Sequence, residues 1–174
     1  MSDRQAAPAR QEAVPANGVS VIGLGNVEKR DDGVGVLLVE ALRQEMDAGA
    51  WSPENRDLAL VPAGTDSLLA AAHAAGGRLV ILVDAARMGL SAGEYRVFSP
   101  QEAALSARDW GLSPHDADLA ETLSLIDSLG CAERVRIMGI QSEDMGDGRG
   151  LSARLQARLA EMQARIKEEV GQLS

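Results

Sequence analysis

Asp31 and Asp32 stand side by side where an apolar segment gives way to a glycine turn and then to a helix pattern, in Val19–Gly35, VSVIGLGNVEKRDDGVG. Carboxylates fixed beside an exposed turn can ligate a metal or move a proton. They can also simply cap the next helix, whose first amides have no partner within it. A third acid, Asp84, ends the apolar run Arg78–Val83, RLVILV, where a carboxylate is costly unless it is paired, hydrogen-bonded or metal-bound. The chain has two histidines. His115 lies in LSPHDADLAE, on a long connection before a helix, the kind of loop that carries function. His73 lies inside LLAAAHAAGG and reads as a packed or partly exposed helix residue without a task. Two carboxylates and one imidazole would make a three-ligand site with open positions, suited to nickel, zinc, iron or manganese.

Strands and helices must alternate to bring these groups together. Strands are expected at Val19–Gly23, Leu58–Val61, Arg78–Val83, Glu94–Ser99 and Val135–Ile140, the fourth as an edge or antiparallel strand. Helices are expected at Val34–Gln44, at Ser67–Ala75 with Asp66 as N-cap, at Asp118–Leu129, and from a Ser152 cap onward. Leu155, Leu159, Met162, Ile166 and Val170 form one stripe of the last helix. The pattern implies an α/β fold of three layers, an open, mostly parallel twisted sheet of about five strands with helices on both faces. In such sheets the site forms beyond the strand C-termini at a switch point. Asp31/Asp32, Gly64-Thr65, Asp84 and Gln141 each follow a different strand, so they should share one rim. Residues 1–17 lack apolar periodicity and are expected to be a disordered tail before a single domain at 18–174.

Several familiar motifs fail on their context. Gly23 and Gly25 begin a dinucleotide fingerprint, but Glu28 occupies its last small position and would face the pyrophosphate. No GK[ST] follows the glycines, which excludes a phosphate loop. Gly89–Gly93 spells GxSxG, yet Ser91 leads into a strand, whereas a nucleophile elbow leads into a helix. Glu143, Asp144 and Asp147 lack calcium-loop spacing and read as a solvated turn.

A formal net charge of -9 and 2% aromatic residues argue against nucleic-acid binding, which needs clustered cations or stacking rings. No run approaches the ~20 apolar residues of a membrane span, so a cytoplasmic location without membrane insertion is expected. The lone Cys131 excludes a disulfide framework and reads as a buried filler.

The segments GLGNVEKRDDGVGVLLVEAL, LVPAGTDSLL, LVILVDAARMGLSAGEYRVF, SPHDADLAETL and IMGIQSE, in this order and spacing, resemble the hydrogenase maturation endopeptidase family. The resemblance runs from about Val19 to the final helix. It implies removal of a short C-terminal extension from the large-subunit precursor of a nickel-iron hydrogenase, once nickel has been inserted. It carries the family's nickel-contacting residues over to Asp32, Asp84 and His115, as metal ligands and catalytic groups. The nickel would arrive with the precursor, so no tightly bound resident cofactor is expected, and the protein is expected to be a monomer in isolation.

Three positions depart from the family pattern. Asp32 stands where Glu is frequent, one methylene shorter with the same charge. Pro62-Ala63-Gly64-Thr65 replaces a DGGT-like segment, so an acid is missing at Pro62 unless Asp66 substitutes for it. Glu28-Lys29-Arg30 replaces a more apolar stretch and is expected to tune the choice of precursor. Two alternatives follow: a nickel-dependent checkpoint module with little proteolysis, and a generic metal-dependent hydrolase.

Overall fold

A nearly continuous apolar run has both faces to bury, and it takes the centre of the sheet. In the computed structural model, β3 (Leu79–Ala86) is buried at every position. It pairs in parallel with β1 (Val19–Leu24) on one side and β5 (Val135–Gln141) on the other. β2 (Leu58–Gly64) adds to the outer side of β1 in parallel, and β4 (Tyr95–Phe98) adds to β5 antiparallel. The order is β2-β1-β3-β5-β4. The structure describes residue 14 and residues 18–53, 57–106 and 117–172.

Two apolar layers sandwich this sheet. Helices α1 (Val34–Asp47) and α5 (Ala153–Gly171) cover one face, with Val34, Leu38, Leu42, Leu155, Met162 and Ile166 packed on Val21, Ile81 and Val83. Helices α2 (Ser67–Gly76), α3 (Pro100–Ser106) and α4 (Ala117–Ser128) cover the other, where Ala70, Ala74, Ala103 and Ile126 meet Ile22, Leu82 and Ile137. This is the expected three-layer α/β architecture. The chain leaves β1 toward β2 and leaves β3 toward the opposite edge, so the switch point lies between β1 and β3.

Glycine sets how closely α1 approaches that point. A Cβ on Gly35 would stand 2.1 Å from the Val83 carbonyl oxygen and 2.6 Å from that of Leu24. The first turn of α1 therefore rests backbone against backbone on the ends of both strands.

Some expectations shift. β2 runs on to Gly64, and Pro62 is tolerated because β2 is an edge strand that needs no second ladder. β3 continues past Val83 to Ala86, so Asp84 lies inside the ladder opposite Gly139. The long connection after β4 contains α3, whose start carries a capping box: the Ser99 amide donates to Glu102 Oε2 at 2.7 Å, and the Glu102 amide donates to Ser99 Oγ at 3.2 Å. Donation from the Ser99 amide, then from its hydroxyl, holds the Glu102 carboxyl below its usual range. His73 is fully buried, its Nδ1 2.9 Å from Ser20 Oγ. Cys131 is buried as expected, and burial pushes its thiol up. Of the expected tail at residues 1–17, only Val14 falls within the described residues.

Gly35→Ala should cost about 3 kcal/mol, because the intruding methyl meets backbone that cannot rotate away. Urea denaturation of the variant will show this as a lower midpoint with an unchanged slope.

Candidate active site

Gly25 (φ +108°) turns the chain off the end of β1 at the switch point. Its amide donates to the Gly64 carbonyl at 3.0 Å, which ties the end of β2 to the same turn. A side chain here is impossible: a Cβ would stand 1.8 Å from the Asp32 carbonyl oxygen. The same point is 3.6 Å from Asp84 Oδ1, so the acid of β3 reaches to the bare face of Gly25. Asp32 turns its side chain back toward this turn, and its Oδ2 accepts the Asn26 amide at 2.8 Å. The two carboxylates thus bracket Gly25-Asn26. Asp32 is half-buried, whereas Asp84 is only 5% exposed and shares the sheet face of Leu82 and Ala86.

Asp31 points the other way. Fully buried, it accepts the amides of Glu143 at 2.8 Å and Asp144 at 2.9 Å on Oδ2, and that of Ser152 at 2.6 Å on Oδ1. Neither aspartate caps α1, whose N-cap is Gly33 with no side-chain bond. Asp31 instead holds the start of α5. Ser152 occupies the N-cap position of α5, but the expected side-chain cap is not formed, and its hydroxyl is buried without a hydrogen-bond partner.

The β1–α1 and β5–α5 connections are joined along their length. The Arg30 amide donates to the Gly148 carbonyl at 2.7 Å, the Gly148 amide to the Glu28 carbonyl at 2.8 Å, and the Asp31 amide to the Asp144 carbonyl at 3.0 Å. Arg30 has φ +44°, the only such value at a non-glycine residue among those described. Ion pairs overlie this zipper: Arg30 with Asp144 at 3.3 Å, and Arg149 with Glu28. Arg149 holds the exposed Glu28 carboxyl below its usual value, through their hydrogen bond first. The expected solvated turn at Glu143–Asp147 is exposed, yet it is part of this clamp, with Glu143 paired to Arg154 at 3.2 Å.

Gln141 closes another side of the rim. Its Oε1 accepts the amides of Met88 at 2.7 Å and Leu90 at 3.2 Å, pinning the chain that leaves β3. Asp66 caps α2 through the Leu69 amide at 2.9 Å, so its carboxylate is occupied away from the place of the acid missing at Pro62. Ser91 lies in the loop before β4, not in an elbow. His115 lies outside the described residues, in the segment that leads into α4. Among the described residues no three His, Cys, Asp or Glu side chains form a metal-holding group. The structure places Asp32 and Asp84, two hard oxygen donors, on either side of the Gly25-Asn26 turn, where carboxylates can ligate a divalent metal or take up a proton.

The partners of Asp31 escaped the sequence because its three amides lie 112, 113 and 121 positions away. The Arg149–Glu28 pair, 121 positions apart, left no local signal either.

The family model described as hydrogenase maturation protease matches residues 36–169. The hydrogenase expression/formation protein HupD of Rhizobium leguminosarum bv. viciae is 28% identical over 137 residues, which cover 78% of this chain and 65% of that protein. The chain thus spans about two thirds of the length of this relative. Among solved structures, the hydrogenase maturating endopeptidase HybD from E. coli superposes with a TM-score of 0.68 at 23% identity, covering 86% of this chain and 89% of its own. The [NiFe] hydrogenase maturation protease HybD from Thermococcus kodakarensis gives 0.67 at 23% identity, covering 88% and 99%.

The two neighbouring aspartates should differ sharply in their contribution to stability. Asp31→Ala strands three amides and should cost about 3 kcal/mol or more, whereas Asp32→Ala strands one, for about 1 kcal/mol. Urea denaturation of both variants, side by side, will measure the difference.

Proposed function

The chain belongs to the hydrogenase maturation protease family, and on that premise we propose that it is an endopeptidase removing a short C-terminal extension from the nickel-loaded large-subunit precursor of a nickel-iron hydrogenase. The observation that carries this reading is the pair Asp32 and Asp84 around the Gly25 turn at the switch point. Nickel is part of the substrate, held by the precursor, and Asp32, Asp84 and His115 complete its coordination while the precursor is docked. Sparse oxygen ligation suits a metal that must leave with its owner.

Attack by water fits the side chains better than an acyl-enzyme. Ser20 and His73 meet at 2.9 Å, but both are buried between β1 and α2, out of reach of a substrate. Cys131 is buried with a raised thiol, the opposite of an activated nucleophile. Substrate-borne nickel would polarise the scissile carbonyl or activate the water, with one of the two carboxylates as the alternative base. The site of action is the cytoplasm, on a folded precursor, with the protein as a monomer. One observation favours the second reading, a checkpoint module with little proteolysis: position 62 has no acid, and Asp66 is committed to its cap.

Incubation with nickel-loaded and nickel-free precursor, followed by intact mass, should show loss of a C-terminal peptide from the loaded form alone. Retention of the peptide by both forms would favour the checkpoint. A stoichiometric metal in the purified protein by elemental analysis would favour a generic metal hydrolase. Asp84→Ala and His115→Ala should each abolish processing while far-UV circular dichroism stays native.

A further inference from the structure

Asp31 has no path to a substrate: it is fully buried, and both of its oxygens are taken by backbone amides. It nevertheless precedes Asp32 in a short 3-10 turn, Arg30–Gly33. The two side chains leave this turn in opposite directions, Asp31 to the β5–α5 connection and Asp32 to Asn26. Three consecutive residues of the turn are anchored through their backbones as well: Arg30 to Gly148, Asp31 to Asp144 and Asp32 to Lys29. Arg30 at φ +44° sits in a conformation that a side chain resists, on the order of 1 kcal/mol, and such a residue persists only where its surroundings over-determine it. Asp32 is a half-buried carboxylate whose hydrogen bond among the described residues is to the Asn26 amide, so its position depends on the turn that carries it.

We propose that Asp31 is a positioning residue, whose buried carboxylate references the Arg30–Gly33 turn to the N-terminus of α5 and thereby holds the Asp32 carboxylate against the Asn26 amide. α5 is a 19-residue helix packed on the sheet, so it is a rigid point of reference. Asp31 transmits that rigidity to the rim through the amide of Ser152, the residue from which α5 starts. The loss of Asp31 therefore displaces Asp32 even where the sheet and helices stay intact. This inference rests on the proposed role of Asp32 only for its consequence in processing, not for the geometry.

The test is amide hydrogen exchange by NMR on the full chain, since the Asn26 amide reports directly on the position of the Asp32 carboxylate. In Asp31→Asn the Asn26 amide should lose about 10-fold or more in protection, while the central-strand amides of Ile81 and Leu82 keep theirs. Gly148→Ala strains the same clamp from its other side, at φ +131° with Asp31 present, and should produce the same selective loss. It replaces Asp31→Asn as the deciding variant if the latter does not fold. With nickel-loaded precursor, kcat should fall about 10-fold and KM change less than about 2-fold, the signature of a misplaced group rather than a lost docking surface. Exposure of the Glu143 and Asp144 amides with full protection retained at Asn26 would overturn the proposal, as would unchanged kcat in a folded Asp31→Asn. A wild-type protein that leaves the precursor uncut overturns the peptidase reading instead, and the exchange result still decides the role of Asp31.

Discussion

The approach on which the rim depends carries no side chain. The first turn of α1 lies directly on the Leu24 carbonyl that ends β1 and the Val83 carbonyl within β3, and the space left there for Gly35 excludes even a methyl group. Everything at the rim inherits that contact. It fixes where the Arg30–Gly33 turn must sit, it leaves Gly25 to fold the chain back in a conformation that disfavours other residues, and it brings the β1–α1 connection over the carboxylate of β3. An α/β sheet offers a crevice at its switch point by topology alone. Here two acids on separate elements converge on one bare stretch of backbone.

The acids divide the work by burial. Asp84 is held inside the central strand, in a ladder that cannot shift without breaking the sheet. Asp32 belongs to a connection, and its placement depends on what clamps that connection. Asp31 and the zipper to Gly148 supply the clamp, with surface ion pairs laid over it. Exposed pairs of this kind add little stability. Their larger effect is on the surface offered to a docking protein, where Glu28 and Arg30 are already neutralised across the clamp while Lys29 remains exposed.

Local periodicity was enough to place the strands and most helices, since RLVILV can only be central and the last helix shows one clear stripe. The convergence of the β1–α1 acids with Asp84 followed from topology, because strand ends on either side of a switch point must share a rim. Contacts between residues far apart in the chain were beyond that logic. An aspartate before a helix looks like a cap for that helix, but Asp31 binds the loop amides and the Ser152 amide that lead into a different one. His73 read as packed or partly exposed in an alanine-rich helix, and it is packed: small residues let α2 lie close to the sheet and bury it beside Ser20. α3 was missed although Ser99, Pro100 and Glu102 spelled its start, because a helix of 7 residues has too few turns to show a period.

The clamp also has a consequence in time. Its two halves are separated by more than a hundred residues, with the bond from Ser152 to Asp31 spanning 121 positions. Loop closure over such a distance is among the last events that a chain can complete. On a ribosome, β1, α1, β2 and β3 can associate long before α5 emerges, and Asp32 would then sit on an unclamped connection. The Arg30–Gly33 turn thus gains its clamp only when the final helix has docked, and a half-made chain presents Asp32 and Asp84 without it.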